Sequence, residues 1–292
     1  MPLTSKFSIG SLTCWTIEGG IQRLDGGAMF GVVPKPLWEK RIPSDARNRI
    51  QLQMRCLLIE HSDGLVLIDT GAGNKDDQKF KDIYGLENDG DPGPTVLEDG
   101  IREAGHDPKD VKWVINTHLH FDHAGGNTMK KPDGSVALAF PGATYVVQKG
   151  EFDFAATPNE RIRASYLADN YMPVASAGRF RFVIGEVEVL PGIFAMPTPG
   201  HTPHHQSIVL RDEGETLCFL GDLCPTTAHL PAPWIMGYDL EPLVTLETKK
   251  RVLKKAAEEA WWLVFEHEPN IRRARIGVDP KKGWTPEPVE TA

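Results

Sequence analysis

The sequence has few of the features that mark secreted, membrane or nucleic-acid-binding proteins. Only four of its 292 residues are cysteine. They form no close pair, which argues against a disulfide framework and against a thiolate zinc site. No run of about 18 uncharged apolar residues is present, and the N-terminal residues lack the basic and apolar regions of a secretory signal. We therefore expect a cytoplasmic protein with no membrane partner.

Positive charge is also scarce. Lys and Arg total 32 against 40 Asp and Glu, so the formal net charge is −8 at pH 7. Binding to a phosphate backbone needs a local excess of Lys and Arg, and the short run Arg272, Arg273 and Arg275 is too small to supply it. We therefore expect no nucleic-acid partner.

The remaining composition is that of a globular protein with a large core. Hydrophobic residues make up 40% of the chain and charged residues 25%. Short β-branched runs alternate with helical patterns in both halves, which predicts a layered α/β arrangement in a single domain over residues 1–292. The predicted strands are 57–60, 65–69, 111–115, 144–148, 180–184, 187–190, 206–210, 216–220 and 261–265, and the predicted helices are 95–104 and 241–260.

Two segments do not fit this alternation. Residues 19–48 contain Gly26, Gly27, three prolines and several large apolar side chains, and residues 152–178 are richer in charge and in helix-forming residues. Connections of this length inside compact domains are usually lids or binding loops. We expect residues 19–48 to be an N-terminal lid or a dimer loop, so a homodimer is a reasonable expectation. Residues 152–178 are expected to be an insertion with one of the same two roles.

The strongest chemical signal lies directly after the strand predicted at 111–115. Residues 117–126 read Thr-His-Leu-His-Phe-Asp-His-Ala-Gly-Gly and place three histidines and one carboxylate within six positions. Imidazole and carboxylate are ligands that suit zinc and other divalent metals. We interpret these four side chains as ligands of one or two metal ions: His118, His120, Asp122 and His123.

The H-x-H-x-D-H pattern resembles the signature of the metallo-β-lactamase superfamily. The resemblance extends over about residues 52–270, and the further ligand positions of that family are filled in order by His201, Asp222 and His267. It implies a four-layer αββα sandwich fold. Asp69, in Ile-Asp-Thr-Gly, is expected to orient a histidine ligand or a strand end rather than bind metal itself.

The same resemblance implies how two metals would be held. One would be bound by His118, His120 and His201, the other by Asp122, His123 and His267, and Asp222 would bridge them. Two such ions would share a bridging hydroxide at neutral pH and polarise the bond under attack. Asp122 would also act catalytically, because a carboxylate beside that hydroxide can pass a proton to a leaving alkoxide. Zinc is the expected metal, although iron, manganese and cobalt suit the same ligands.

Residues 115–127 and 24–34 are similar to the lactonase branch of the superfamily, which includes acyl-homoserine lactone hydrolases, and to the related methyl-parathion-type hydrolases. The resemblance implies a hydrolase that opens lactones or cleaves hydrophobic esters. Two alternatives use the same site, organophosphate triester hydrolysis and β-lactam hydrolysis. An alternative of another class is a non-catalytic metal-binding sensor or partner module.

One departure from the lactonase pattern concerns substrate binding. Acyl-homoserine lactonases of this type carry a tyrosine three residues beyond the bridging aspartate, as a hydrogen-bond donor to the substrate, and this chain has Pro225 there. His229 and Tyr238 are candidate substitutes, and Phe30 and Trp38 are candidates for an apolar substrate wall. The alternative for His229 and Tyr238 is a packing or surface role, and for Phe30 and Trp38 mutual burial or a dimer contact.

Overall fold

Two β-sheets occupy the centre of the computed structural model, which describes residues 2–281, 283–287 and 290–291. The larger sheet has the strand order β1 (Thr4–Ile9), β2 (Leu12–Asp25), β3 (Arg49–Glu60), β4 (Leu65–Ile68), β5 (Val111–Ile115), β8 (Thr144–Gln148) and β9 (Phe180–Val183). The smaller sheet has the order β10 (Val187–Leu190), β11 (Ile193–Pro197), β12 (Gln206–Asp212), β13 (Glu215–Phe219) and β14 (Trp262–Val264). Three two-stranded pairs lie outside them: β6 (Thr128–Lys130) with β7 (Val136–Leu138), β15 (Ile271–Arg273) with β18 (Glu290–Thr291), and β16 (Ile276–Asp279) with β17 (Gly283–Pro286).

The helices vary from a single turn to 17 residues. They are α1 (Gly26–Phe30), α2 (Lys35–Trp38), α3 (Gln78–Tyr84), α4 (Val96–Glu103), α5 (Phe121–Ala124), α6 (Lys149–Ala156), α7 (Met172–Ser176) and α8 (Pro242–Glu258). Among the described residues, none of these helices has the length and apolar character needed to span a bilayer.

The two sheets pack face to face and are covered by helices on their outer faces. Strand β3 shows the pattern clearly, because Leu57 and Ile59 join the core between the sheets while Cys56 and Leu58 point to the outer face. Leu97 and Ile101 of α4 cover that outer face. On the smaller sheet, the covering side chains come from α8: Val252, Leu253 and Ala256. This layering confirms the expected αββα fold.

Strand direction decides where functional loops can meet. β4, β5, β8 and β9 run parallel in the larger sheet, and β13 and β14 run parallel in the smaller one. The carboxyl ends of parallel strands lie at the same edge of a sheet, which is where ligands bind in open α/β sheets. The loops after β4, β5, β13 and β14 are therefore placed to form a common site.

Part of the segment 19–48 differs from the expected loop. Residues 19–25 complete β2, which runs on beyond an irregularity in its pairing with β3 between Glu18 and Ile21. Gly20 has φ +116° there, and a Cβ at this position would lie 2.5 Å from the Cβ of Asn88. Strand β2 was not among the predicted strands, and in its second half a bulge interrupts the alternation of inward and outward side chains that a sequence pattern would show.

One buried lysine of helix α8 is hydrogen-bonded to the preceding loop, residues 229–234. Lys249 is 1% exposed, and its Nζ donates hydrogen bonds to the carbonyl oxygens of His229, Pro231 and Trp234 at 2.9, 3.1 and 2.7 Å. Buried carbonyls without a partner are costly, so this ammonium stabilises the path of residues 229–234.

We predict that Lys249→Met lowers the free energy of unfolding by roughly 2–4 kcal/mol, because three carbonyl oxygens lose their charged donor. Urea denaturation measures the change. Lys250→Met is the matched control, since Lys250 is exposed and pairs with Glu247 on the helix surface. It should change the free energy of unfolding by less than about 0.5 kcal/mol. Equal effects of the two variants would contradict the prediction.

Candidate metal centre

Five loops bring the predicted site residues together at one edge of the sandwich. Each loop follows the carboxyl end of a strand, β4, β5, β11, β13 or β14. The residues that they carry are Asp69, His118, His120, Asp122, His123, His201, Asp222 and His267. All eight side chains are buried.

Seven of these side chains, all but Asp69, form two adjoining groups in which the potential ligand atoms lie within 4.8 Å of one another. The first group is His118, His120, His201 and Asp222, and the second is Asp122, His123 and His267. Asp222 touches both groups, since its Oδ2 lies 3.0 Å from Nε2 of His201 and its Oδ1 lies 3.0 Å from Nε2 of His267. Each group offers the nitrogen and oxygen ligands that zinc binds.

Several buried histidine nitrogens of the two groups are better suited to binding a cation than to hydrogen bonding with one another. Within the described part of the chain, Nε2 of His118 and Nε2 of His123 have no hydrogen-bond partner. Nε2 of His201 also faces Nδ1 of His120 at 3.1 Å. A buried polar atom without a partner is costly, and a metal ion would satisfy several of these lone pairs at once.

The electrostatics of the site also favour bound cations. Burial lowers the pKa of His118 and His120 well below the usual value, so both rings stay neutral and keep a lone pair for a metal. Burial acts to raise the pKa of Asp222, but the surrounding histidines lower it well below the usual value. Burial acts to lower the pKa of His267, yet Asp222 raises it to about 9. The carboxylate therefore remains ionised and attracts positive charge.

Acceptors behind the histidines orient the rings. Asp239 Oδ1 lies 2.9 Å from Nδ1 of His201, and the carbonyl oxygen of Gln53 lies 2.6 Å from Nδ1 of His267. An acceptor at Nδ1 holds a proton on that nitrogen, so that Nε2 is the nitrogen turned towards the site. Asp239 lies in an irregular loop without a motif, so no sequence pattern indicates its role.

Asp69 lies behind His123. Its carboxylate accepts hydrogen bonds from the backbone N–H and the hydroxyl of Thr117 at 2.7 and 2.6 Å, and its Oδ2 lies 3.1 Å from Nδ1 of His123. Glu266 Oε2 approaches the same nitrogen at 3.0 Å. Glu266 was not among the predicted site residues, although it directly precedes His267.

A buried glutamate connects two of the histidine loops. Glu151, in α6, accepts hydrogen bonds from the backbone N–H of Leu119 at 3.1 Å and from the hydroxyls of Tyr166 and Thr202 at 2.7 Å each. Leu119 lies between two of the histidines and Thr202 follows a third. Glu151 therefore fixes the positions of the two loops relative to each other. A glutamate in a charged helical segment gives no sequence signal for this role.

Two glycines allow the histidine loop to pack closely on its neighbour. A Cβ at Gly125 would lie 2.0 Å from the carbonyl oxygen of Ala72, and one at Gly126 would lie 2.1 Å from that of Thr70. This explains physically why the motif continues into Gly-Gly.

A cavity of about 380 Å³ opens onto both groups. Its polar lining includes His120, Asp122, Asp222 and His267, together with Arg161 and Ser165. The walls are mainly apolar and aromatic and include Leu24, Met29, Tyr84, Phe121, Ile162, Met236, Tyr238 and Leu240. Residues 161–165, within the expected insertion, contribute one wall, and Nη2 of Arg161 reaches the carbonyl oxygen of Gly237 at 3.4 Å.

Of the four expected substrate contacts, only Tyr238 lines this cavity. Phe30 and Trp38 are fully buried in a separate hydrophobic cluster and stack with ring centroids 5.3 Å apart. His229 stacks on Phe30 at 4.4 Å, and its Nε2 lies 2.9 Å from the carbonyl oxygen of Met29. These three residues lie behind Met29, which lines the cavity, and they do not line it themselves. Large rings are stabilised by burying their apolar surface against each other.

Adjoining histidine and aspartate groups, held at the edge of an αββα sandwich and open to a cavity, place the protein among the metal-dependent hydrolases. A model of the Metallo-beta-lactamase superfamily matches residues 51–267, and the chain belongs to this superfamily. It is similar to N-acyl homoserine lactonase from Bacillus cereus, with 30% identity over 229 residues that cover 76% of this chain and 83% of that protein. It is also similar to N-acyl homoserine lactonase AttM from Rhizobium radiobacter, with 26% identity over 65% of this chain and 69% of that protein.

Solved structures show the same fold. A probable metal-dependent hydrolase from Staphylococcus aureus superposes with a TM-score of 0.87 and 30% identity, covering 96% of this chain and 99% of that chain. AidC, a dizinc quorum-quenching lactonase in complex with a product, superposes with a TM-score of 0.81 and covers 99% of both chains. Its identity is 21%, so that likeness concerns the fold alone.

We predict that Asp239→Asn weakens zinc binding about 10- to 100-fold, because His201 loses the carboxylate that orients its ring. Competition with a chromogenic chelator measures the affinity. Asp110→Asn, at an exposed position remote from the histidine loops, is the control and should bind zinc as the wild type does. An unchanged zinc affinity in Asp239→Asn would show that Asp239 does not orient a ligand.

Proposed function

We propose that the protein is a dizinc hydrolase that opens the ring of N-acyl homoserine lactones. The observation that carries the proposal is the cavity, because it joins two groups of metal-binding side chains to mainly apolar walls. Such a site suits a substrate with a polar ring to be cleaved and an apolar tail. The similarity to N-acyl homoserine lactonases over three quarters of the chain supports the same substrate class.

The proposed ligand sets follow the two groups of side chains. One zinc would be held by His118, His120 and His201, the other by Asp122, His123 and His267, and Asp222 would bridge them. When bound, two such ions supply Lewis acidity at the scissile carbonyl and lower the pKa of water at the site.

The chain itself supplies the proton transfer. Opening a lactone breaks the bond between the carbonyl carbon and the ring oxygen, and that oxygen leaves as an alkoxide that needs a proton. Asp122 lines the cavity and is placed to pass on the proton released by the attacking water. Gln22 of β2 is fully buried and donates a hydrogen bond from Nε2 to Oδ2 of Asp122, which fixes this carboxylate.

The walls of the cavity would hold the acyl chain. Leu24, Met29 and Ile162 offer apolar surface, and the segment that carries Ile162 closes one side of the cavity. Burial of each methylene of the acyl chain would contribute about 0.8 kcal/mol. Affinity is therefore expected to rise with acyl length until the cavity is filled.

We predict about two zinc ions per chain by elemental analysis and turnover of N-hexanoyl-homoserine lactone by the zinc-loaded protein. Asp122→Asn should lower kcat at least about 100-fold, because it removes the group that moves the proton. Asp222→Asn should lower the metal content, because the neutral amide no longer bridges the two groups.

Asp110→Asn is the control for both variants, and its activity and metal content should match the wild type. A panel of an aryl ester, paraoxon and a chromogenic cephalosporin tests the substrate class. Turnover of paraoxon or the cephalosporin without turnover of the lactone would overturn the proposed substrate. A zinc-loaded protein without turnover of any of these would favour a binding role over catalysis.

A further inference from the structure

The five tyrosines of the chain divide into two kinds. Three of them use their hydroxyls within the protein. The hydroxyl of Tyr145 donates to the carbonyl oxygen of Asn127 at 3.1 Å, that of Tyr166 to Glu151 at 2.7 Å, and that of Tyr171 to the carbonyl oxygen of Ala155 at 2.7 Å. All three side chains are buried.

The other two, Tyr84 and Tyr238, line the cavity beside the metal-binding groups. Tyr84 is half-buried and Tyr238 is 39% exposed. Within the described residues, neither hydroxyl makes a hydrogen bond to the protein. Two phenols that find no partner among the described residues, and that line the same cavity as Asp122, are available to a ligand.

The structure holds both rings in place without using their hydroxyls. Tyr84 ends α3 and packs against Phe80 and Phe121, with ring centroids 4.4 and 4.7 Å away. Phe121 directly precedes Asp122. Tyr84 is thereby held against the segment that carries the proposed proton acceptor.

Tyr238 is fixed through its neighbours in the chain. The backbone N–H of Gly237 donates to the carbonyl oxygen of Ala28 at 2.8 Å, and the carboxylate of Asp239 contacts His201. Tyr238 lies between these two anchors, on an element different from that of Tyr84. Tyr84 and Tyr238 therefore line the cavity from separate parts of the fold.

Both phenols are donors at neutral pH. Burial and the negative charge of Asp122 raise the pKa of Tyr84 above its usual value. Burial, with smaller contributions from Asp25, Tyr84 and Asp122, raises the pKa of Tyr238 to about 12. A protonated phenol can donate to an oxygen that gains negative charge during hydrolysis.

We infer that Tyr84 and Tyr238 together supply the side-chain hydrogen bonds that orient the substrate and stabilise the charge developing on its oxygens. This inference rests on the proposed function and adds Tyr84, a residue without a sequence motif. Pro225 has no side-chain donor, and its carbonyl oxygen already accepts from the backbone N–H of His267 at 3.0 Å. The substrate is one with at least two acceptor oxygens, such as the ring ester and the acyl amide of an N-acyl homoserine lactone.

The test compares Tyr84→Phe, Tyr238→Phe and the double variant in the zinc-loaded protein with N-hexanoyl-homoserine lactone. Each single variant should lower kcat/KM about tenfold or more, and the double variant should lower it further, by at least about 100-fold, since loss of one oxyanion donor can by itself cost about 100- to 1000-fold. Zinc content and thermal midpoint should match the wild type, because neither hydroxyl makes a hydrogen bond to any part of the chain that the structure describes.

Tyr171→Phe is the matched control. It also removes one hydroxyl, but that hydroxyl holds the carbonyl oxygen of Ala155, so the thermal midpoint should fall while kcat/KM stays unchanged. Unchanged kcat/KM in the double variant would overturn the inference, and so would a loss of activity that follows only a loss of zinc or of stability.

The failure of the proposed function is distinguishable from the failure of this inference. If the wild type turns over another substrate of the panel but no lactone, the lactone assignment is wrong. The kcat/KM of the double variant on that substrate, compared with that of the wild type, then tests whether the two tyrosines act as donors. If the wild type turns over none of the panel and calorimetry detects no binding of N-hexanoyl-homoserine, both are overturned.

Discussion

The site is organised around one buried carboxylate, that of Asp222, which lies between two groups of histidines. Its two oxygens are each 3.0 Å from a ring nitrogen, one on His201 and one on His267. A buried negative charge is tolerated only where positive charge and hydrogen bonds surround it. The loops after β5, β11, β13 and β14 meet at this carboxylate. Strands of both sheets must therefore end close to Asp222.

Support for the histidines comes from the chain behind them. Asp239 contacts His201, the carbonyl oxygen of Gln53 contacts His267, and Asp69 contacts His123. Each contact fixes a ring nitrogen that faces away from the site, so the opposite nitrogen is free to bind a metal. Because these supports come from different strands and loops, the folded sandwich positions the donors before any ligand is present.

Sequence patterns predicted the parts of the site that are local. The spacing within 118–123, the strands β4, β5, β13 and β14 and the helix α8 all depend on neighbouring residues, and the structure agrees with these strands and this helix to within a few positions. Strand β11, which precedes the loop of His201, was not predicted. Strand β2 was not predicted either, and in its second half a bulge interrupts the alternation of side chains that a sequence pattern would show. Phe30 and Trp38 have the composition of a substrate wall, yet composition does not separate a wall from the packing behind it.

The sequence by itself determined the potential metal ligands, which are histidines and aspartates at strand ends in an order typical of one superfamily. It also determined the net negative charge of the chain. Only the tertiary structure decided which residues support that chemistry and which reach the cavity. Asp239, Glu151 and Tyr84 are far from the motif in the chain and carry no spacing signal. Their roles arise from burial and from contacts between distant segments, and such contacts exist only once the two sheets have packed together.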